Sequence, residues 1–150
     1  MEYEKALLKL QHYCAYQDRC HQEVRTKLLD IKVYGDELEN IMTDLIRDDF
    51  LNEERYAKSY CRGKFRMKKW GKNKILQGLK LKRISAYCIK KGMTEIEDDE
   101  YIGTLLSILD RNIEKHKSLG LMLAKDRAYK YAMSRGYEAN LILENLKDFN

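Results

Sequence analysis

The sequence predicts an all-α protein: three tandem three-helix modules forming an elongated, curved, right-angle helical repeat array. Three observations carry that expectation. The 150 residues include no proline, and β-branched residues are sparse, so little in the chain opposes helix. Charged residues make up 35% of the chain against 44% hydrophobic, a balance that suits a thin body with much surface. Above all, an apolar pattern recurs three times. Val24, Leu28, Val33, Leu38, Met42 and Leu45 reappear 51 positions on as Ile75, Leu79, Ile84, Ile89, Met93 and Ile96. A further 53 positions bring Ala128, Ala132, Tyr137, Ile142, Leu146 and Phe149. Within each set a four-residue step is followed by a five-residue step across a turn and then a second amphipathic stretch, which describes two helices joined tightly. Recurrence at a near-constant period argues for tandem modules, and the period excludes a tetratricopeptide array, which needs about 34 residues.

The elements follow in order. Helices are expected at about 3–17, 21–32 and 35–48 in module 1 (residues 1–51), then at 53–69, 72–82 and 86–92 in module 2 (52–96). Module 3 (97–150) holds helices at about 98–117, 120–135 and 138–149. Asn52 followed by Glu53 and Glu54 suits a helix start, with a side-chain cap and acid in the first turn. Asp98 and Asp99 open the seventh helix in the same way.

Charge is distributed unevenly. From Ala57 to Thr94 there are thirteen lysines and arginines and not one acid, whereas the whole chain is only +5. Residues 1–56 sum to −5 and residues 95–150 to −3. Packing that many like charges together costs self-repulsion, which an anionic partner relieves. On a helix from residue 53, Lys58, Arg62, Arg66 and Lys69 fall within about 80° of one another. Tyr56, Tyr60 and Met67 take the opposite, packing side. The next helix adds Lys72 and Lys74 at its start and Lys80, Lys82 and Arg83 at its end. These nine cations are the candidate partner- and DNA-binding surface. The plain alternative is a solvated basic face offset by the acidic flanks. Phe65 and Trp70 sit among the cations as candidates for base stacking or for core. Gly78, inside a helix, marks either a close neighbour or a tolerated defect.

Other chemistry is thinly represented. His12, Cys14, Cys20 and His21 offer zinc-ligand atoms but not a usual ligand spacing, so core and surface roles are the expectation. Cys14, Cys20, Cys61 and Cys88 lie too far apart for a disulfide framework. The acidic run 95–100 reads as linker and helix cap rather than a magnesium site. There is no phosphate-binding loop, no H-E-x-x-H and no partnered nucleophile. An enzyme is not expected, and neither is a cofactor. No apolar run reaches the length of a membrane span, and the acidic amphipathic start is unlike a signal peptide, so a cytoplasmic monomer is expected.

Several short motifs, in order along nearly the whole chain, resemble the RecX family of RecA recombinase regulators. Glu23, Val24, Lys27 and Leu28 match its E-[LV]-x-x-K-L element. The stretch "DFLNEERYA" (49–57) matches G-L-[LI]-[DN]-[DE]-x-R-[FY]-A at Leu51, Asn52, Glu53, Arg55, Tyr56 and Ala57. Gly71, Ile75, Leu79, Lys82 and Ile84 match the next motif, and Arg127, Tyr131, Arg135, Gly136 and Tyr137 the last. Two departures stand out. The glycine that often ends a module's second helix is Lys32 in the first module and Arg83 in the second, so those turns are expected to close differently. Cys20 replaces a frequent serine cap, which predicts a weaker helix start.

The resemblance implies a non-enzymatic regulator that binds the RecA filament on single-stranded DNA, lodges in its helical groove, and usually limits its extension, ATPase and recombinase activity in DNA repair and the SOS response. A general helical nucleic-acid-binding protein using the basic middle module is the alternative. A helical adaptor scaffold would show no salt-sensitive binding to nucleic acid.

Overall fold

The computed structural model describes residues 2–150, and among them nine α-helices run in sequence with a single 3-10 turn. Module 1 comprises α1 (Tyr3–Tyr16), α2 (His21–Asp30) and α3 (Gly35–Arg47). Module 2 comprises α4 (Glu53–Lys68), α5 (Lys72–Leu81) and α6 (Ala86–Met93). Module 3 comprises α7 (Asp98–His116), the 3-10 turn Lys117–Leu119, α8 (Leu121–Ser134) and α9 (Ala139–Leu146). The accessible surface is 9324 Å², against about 8,000 Å² for a compact globule of this mass, so the body is extended.

Of the eighteen recurring apolar positions, all but Met93 and Phe149 are buried. The third position in each set explains the turns. Val33 N–H donates to the Leu28 carbonyl at 2.9 Å, Ile84 to Leu79 at 3.1 Å, and Tyr137 to Ala132 at 3.1 Å. Each bond belongs to a Schellman turn, in which the residue just past the helix swings inward onto the last helical turn. The residue between must be left-handed, and it is: φ is 68° at Lys32, 59° at Arg83 and 99° at Gly136. The expectation that the first two turns close differently is therefore wrong. Burial of Val33 and Ile84 imposes the same geometry on a lysine and an arginine at a cost of about 1–2 kcal/mol each. Helices α3 and α4 also end on left-handed side-chain residues, Asp49 and Lys69. Lys32→Gly, which removes this cost, is expected to raise unfolding stability by about 0.5–1 kcal/mol in a urea titration.

The hydrophobic interior has two parts. Module 1 encloses its own core, including Leu10, Val24, Leu28, Ile41 and Leu45 and closed off by Leu51. Modules 2 and 3 share one continuous core from Phe65, Ile75 and Leu79 through Tyr101 to Leu109, Ala128 and Ile142. Cys20, from module 1, belongs to that second core, beside the Tyr56 of α4. At the start of α2 Cys20 and Glu23 form a capping box, in which the Cys20 thiol faces the Glu23 N–H and the Cys20 N–H donates to the Glu23 carboxylate at 2.9 Å.

Modules 2 and 3 meet turn against turn. Gly71 N–H donates to the Arg135 carbonyl at 2.7 Å, and Asn73 N–H to the Gly136 carbonyl at 2.9 Å. A Cβ on Gly71 would lie 2.3 Å from the Gly136 carbonyl carbon, and one on Gly136 would lie 2.3 Å from Lys74 Cβ. Beneath them, Tyr101 stacks on Tyr137 with ring centroids 5.1 Å apart. The Tyr101 hydroxyl accepts from Lys72 N–H at 2.9 Å and donates to Glu138, while the Tyr137 hydroxyl donates to the Lys69 carbonyl at 2.9 Å. Burial pushes both phenols well above the ordinary tyrosine range, so they stay neutral donors.

Module 1 is joined by polar links. Arg55 Nε donates to Asp18 at 2.9 Å, and its other nitrogens to the Asp49 carboxylate and to the Asp49 and Phe50 carbonyls. Asn52 caps α4 by accepting from Arg55 N–H at 2.9 Å. The stretch from Asn52 to Ala57 is thus a joint: cap, clamp and two buried packing residues in six positions.

Candidate partner-binding surface

Helix α4 buries Tyr56, Ala57, Cys61 and Phe65 and turns its cations outward. Phe65, one of the two candidates for base stacking, is 2% exposed and lies in the shared core, tilted against Tyr101 with centroids 5.8 Å apart. It cannot stack on a base. Met67 departs from expectation in the other direction. It is 83% exposed. Trp70 is half-buried, with the ammonium groups of Lys64 and Lys74 at 4.9 and 4.8 Å from its ring centroid. Gly78 has a cause. A Cβ there would lie 2.0 Å from the Tyr60 hydroxyl oxygen.

The nine candidate cations fall into two groups. Four have carboxylate partners. Lys58 lies 3.3 Å from Glu54, Arg62 2.5 Å from Glu95, Lys72 3.9 Å from Asp98 and Lys82 3.9 Å from Glu23. All four acids come from the flanks of the basic window, so helix α2, the first turn of α4 and the acidic run 95–100 neutralise part of it. Glu97, in the same run, caps α7 by accepting from Asp99 and Glu100 N–H groups at 3.2 and 3.0 Å.

The remaining five, Arg66, Lys69, Lys74, Lys80 and Arg83, have no carboxylate within 4 Å among the described residues. All but Lys74 are exposed. Lys69 and Arg83 also occupy left-handed turn positions at the ends of α4 and α5. The sequence supplied the cations but not this division, because pairing depends on which carboxylates the fold brings across.

The zinc candidates are not gathered. Cys14 is buried in the first core and Cys20 in the second, while His12 is exposed. Among the described residues no three His, Cys, Asp or Glu side chains form a metal-holding group. All four cysteines are free and buried. Burial pushes the Cys14 and Cys61 thiols up to about 11, so at neutral pH they are inert packing groups. No helix of the described residues is long and apolar enough to cross a membrane.

Residues 52–93 match the family model for RecX, second three-helix domain. The regulatory protein RecX of Bacillus mycoides is 25% identical over 150 residues, covering 98% of this chain and 56% of that protein. The regulatory protein RecX of Lactobacillus gasseri is 26% identical over 137 residues, covering 89% of this chain and 51% of the relative. The chain thus spans about half the length of the curated relatives it matches. Among solved structures, RecX from Lactobacillus salivarius superposes with a TM-score of 0.89 at 19% identity, covering 97% of this chain and 95% of that one. A second structure of a regulatory protein RecX gives 0.86 at 20% identity, covering 97% and 73%. These two establish the all-helical fold. Together with the domain match across the basic window and relatives aligned along nearly all of its length, they show what this chain is similar to: regulatory proteins RecX, with residues 52–93 corresponding to the second three-helix domain of that family.

Proposed function

We propose that the chain regulates a RecA recombinase filament assembled on single-stranded DNA, limiting its extension and its ATP hydrolysis. In this reading it acts in the cytoplasm as a monomer, by binding rather than by catalysis. The carrying observation is the set of cations left without acidic partners on the central module, in a chain similar to regulatory proteins RecX along nearly its whole length. Free surface cations near one another repel. Their cost falls when phosphates or an acidic protein groove come alongside, and each neutralised phosphate releases a condensed counterion. An extended body with its cations in the middle and its acid toward the ends suits a long polyanionic track, where charge complementarity sets register and association rate.

Measuring DNA-dependent ATP hydrolysis by the recombinase tests the reading. Inhibition is expected at well below one chain per recombinase subunit, because a chain lodged in a filament affects the subunits around it. Inhibition that appears only when the chain is abundant enough to sequester the free DNA would instead make it a general nucleic-acid binder.

A further inference from the structure

A groove of about 470 Å³ lies where the C-terminal end of α4 meets the outer faces of α7 and α8. Four cations line it: Lys68 and Lys69 from α4, Arg111 from α7 and Arg135 from α8, against the single carboxylate of Glu100. Among the described residues Lys68, Lys69 and Arg111 have no acidic partner within 4 Å, and Arg135 donates to the Lys68 carbonyl. The α7 wall is low. Gly103 and Ser107 lie on its exposed side, and a Cβ on Gly103 would meet nothing within 4 Å. Opposite stands Tyr131, 45% exposed, its ring outside the aromatic pairs of the core and its hydroxyl without a hydrogen-bond partner among the described residues.

Cations beside an open wall and a free aromatic face match what a single strand offers, which is spaced phosphates together with unpaired flat bases. An acidic peptide would satisfy the cations and leave Tyr131 unused. We infer that this groove takes a short single-stranded DNA segment, with Arg111 and the two lysines on its phosphates and the Tyr131 ring stacked on a base. The inference rests on the reading that the chain works on a complex containing single-stranded DNA. It adds to that reading a strand site between the second and third modules, which shares only Lys69 with the nine central cations.

The test uses the full chain with oligothymidylate carrying 5-iodouracil. Irradiation is expected to cross-link the strand to Tyr131. Tyr131→Ala is expected to weaken binding about five-fold or more while Tyr131→Phe, which keeps the ring, holds it, since a stacked base contributes at least that much. Arg111→Ala is expected to reduce the slope of log affinity against log salt by about 0.7, one phosphate contact on a single strand. Cross-links confined to other residues, or Tyr131→Ala and Arg111→Ala variants that bind the oligonucleotide like the unsubstituted chain, overturn the assignment. If the ATPase inhibition survives in that case, the recombinase reading stands and only the groove falls. If Tyr131 cross-links and its alanine variant binds weakly, while the chain never inhibits the ATPase, the groove stands and the recombinase reading falls.

Discussion

Gly136→Ala is expected to lower the stability of the shared core by about 2–5 kcal/mol, combining left-handed strain of about 1–2 with overpacking of about 1–3. The position combines two constraints. Its φ is 99°, where a side chain is strained, and its missing Cβ would lie 2.3 Å from Lys74 Cβ and 2.6 Å from Lys74 N. Backbone nitrogen does not swing aside as a side-chain tip does. The junction must open instead, and the paired hydrogen bonds of Gly71 N–H and Asn73 N–H go with it. A loss of this size is a large part of the roughly 5–15 kcal/mol that holds a domain together. Urea unfolding followed by circular dichroism measures it. Gly63→Ala is the control, since a Cβ there meets nothing within 4 Å in the middle of α4, and it should hold or raise stability. Equal behaviour of the two variants would mean that the turn-on-turn contact contributes little.

The second large effect concerns binding. Replacing Arg66, Lys69, Lys80 and Arg83 together with alanine is expected to flatten the salt dependence of binding to the recombinase–DNA complex. At about 0.7 per phosphate contact, the slope should fall by about 3, and affinity near 0.1 M salt by about 10²–10³-fold. The comparison set is Lys58, Arg62, Lys72 and Lys82. These already lie 2.5–3.9 Å from carboxylates, so their alanine variants should change the slope far less. A fluorescence-anisotropy titration over several salt concentrations separates the two sets. If both lose the same, the division into free and neutralised cations has no bearing on the partner.

Much of this architecture could be read from residue spacing. The five-residue steps Leu28–Val33, Leu79–Ile84 and Ala132–Tyr137 are the hydrogen-bonded pairs of three Schellman turns, so the apolar repeat specified the turn geometry as well as the helices. Attention to glycine alone misled, because Lys32 and Arg83 are driven left-handed by the burial of the residue that follows each. Phe65 was ambiguous for a related reason. Its cationic neighbours suggested a surface, while its position four after Cys61 and eight after Ala57 placed it on the buried stripe. The neutralising partners Glu23, Glu95 and Asp98 were out of reach, since they lie between 26 and 59 positions from the cations they meet. So was the α7–α8 groove, whose walls come from three helices in two modules.

The uneven division of the interior has a mechanical consequence. Six helices locked through backbone bonds and stacked rings behave as a stiff arm, whereas the first three are held to it by a guanidinium clamp, the Glu23–Lys82 ion pair and one inserted cysteine. Bending strain along the rod should therefore collect at Arg55. A molecule laid along a curved support can follow it by flexing at that joint, without disturbing the register of the arm.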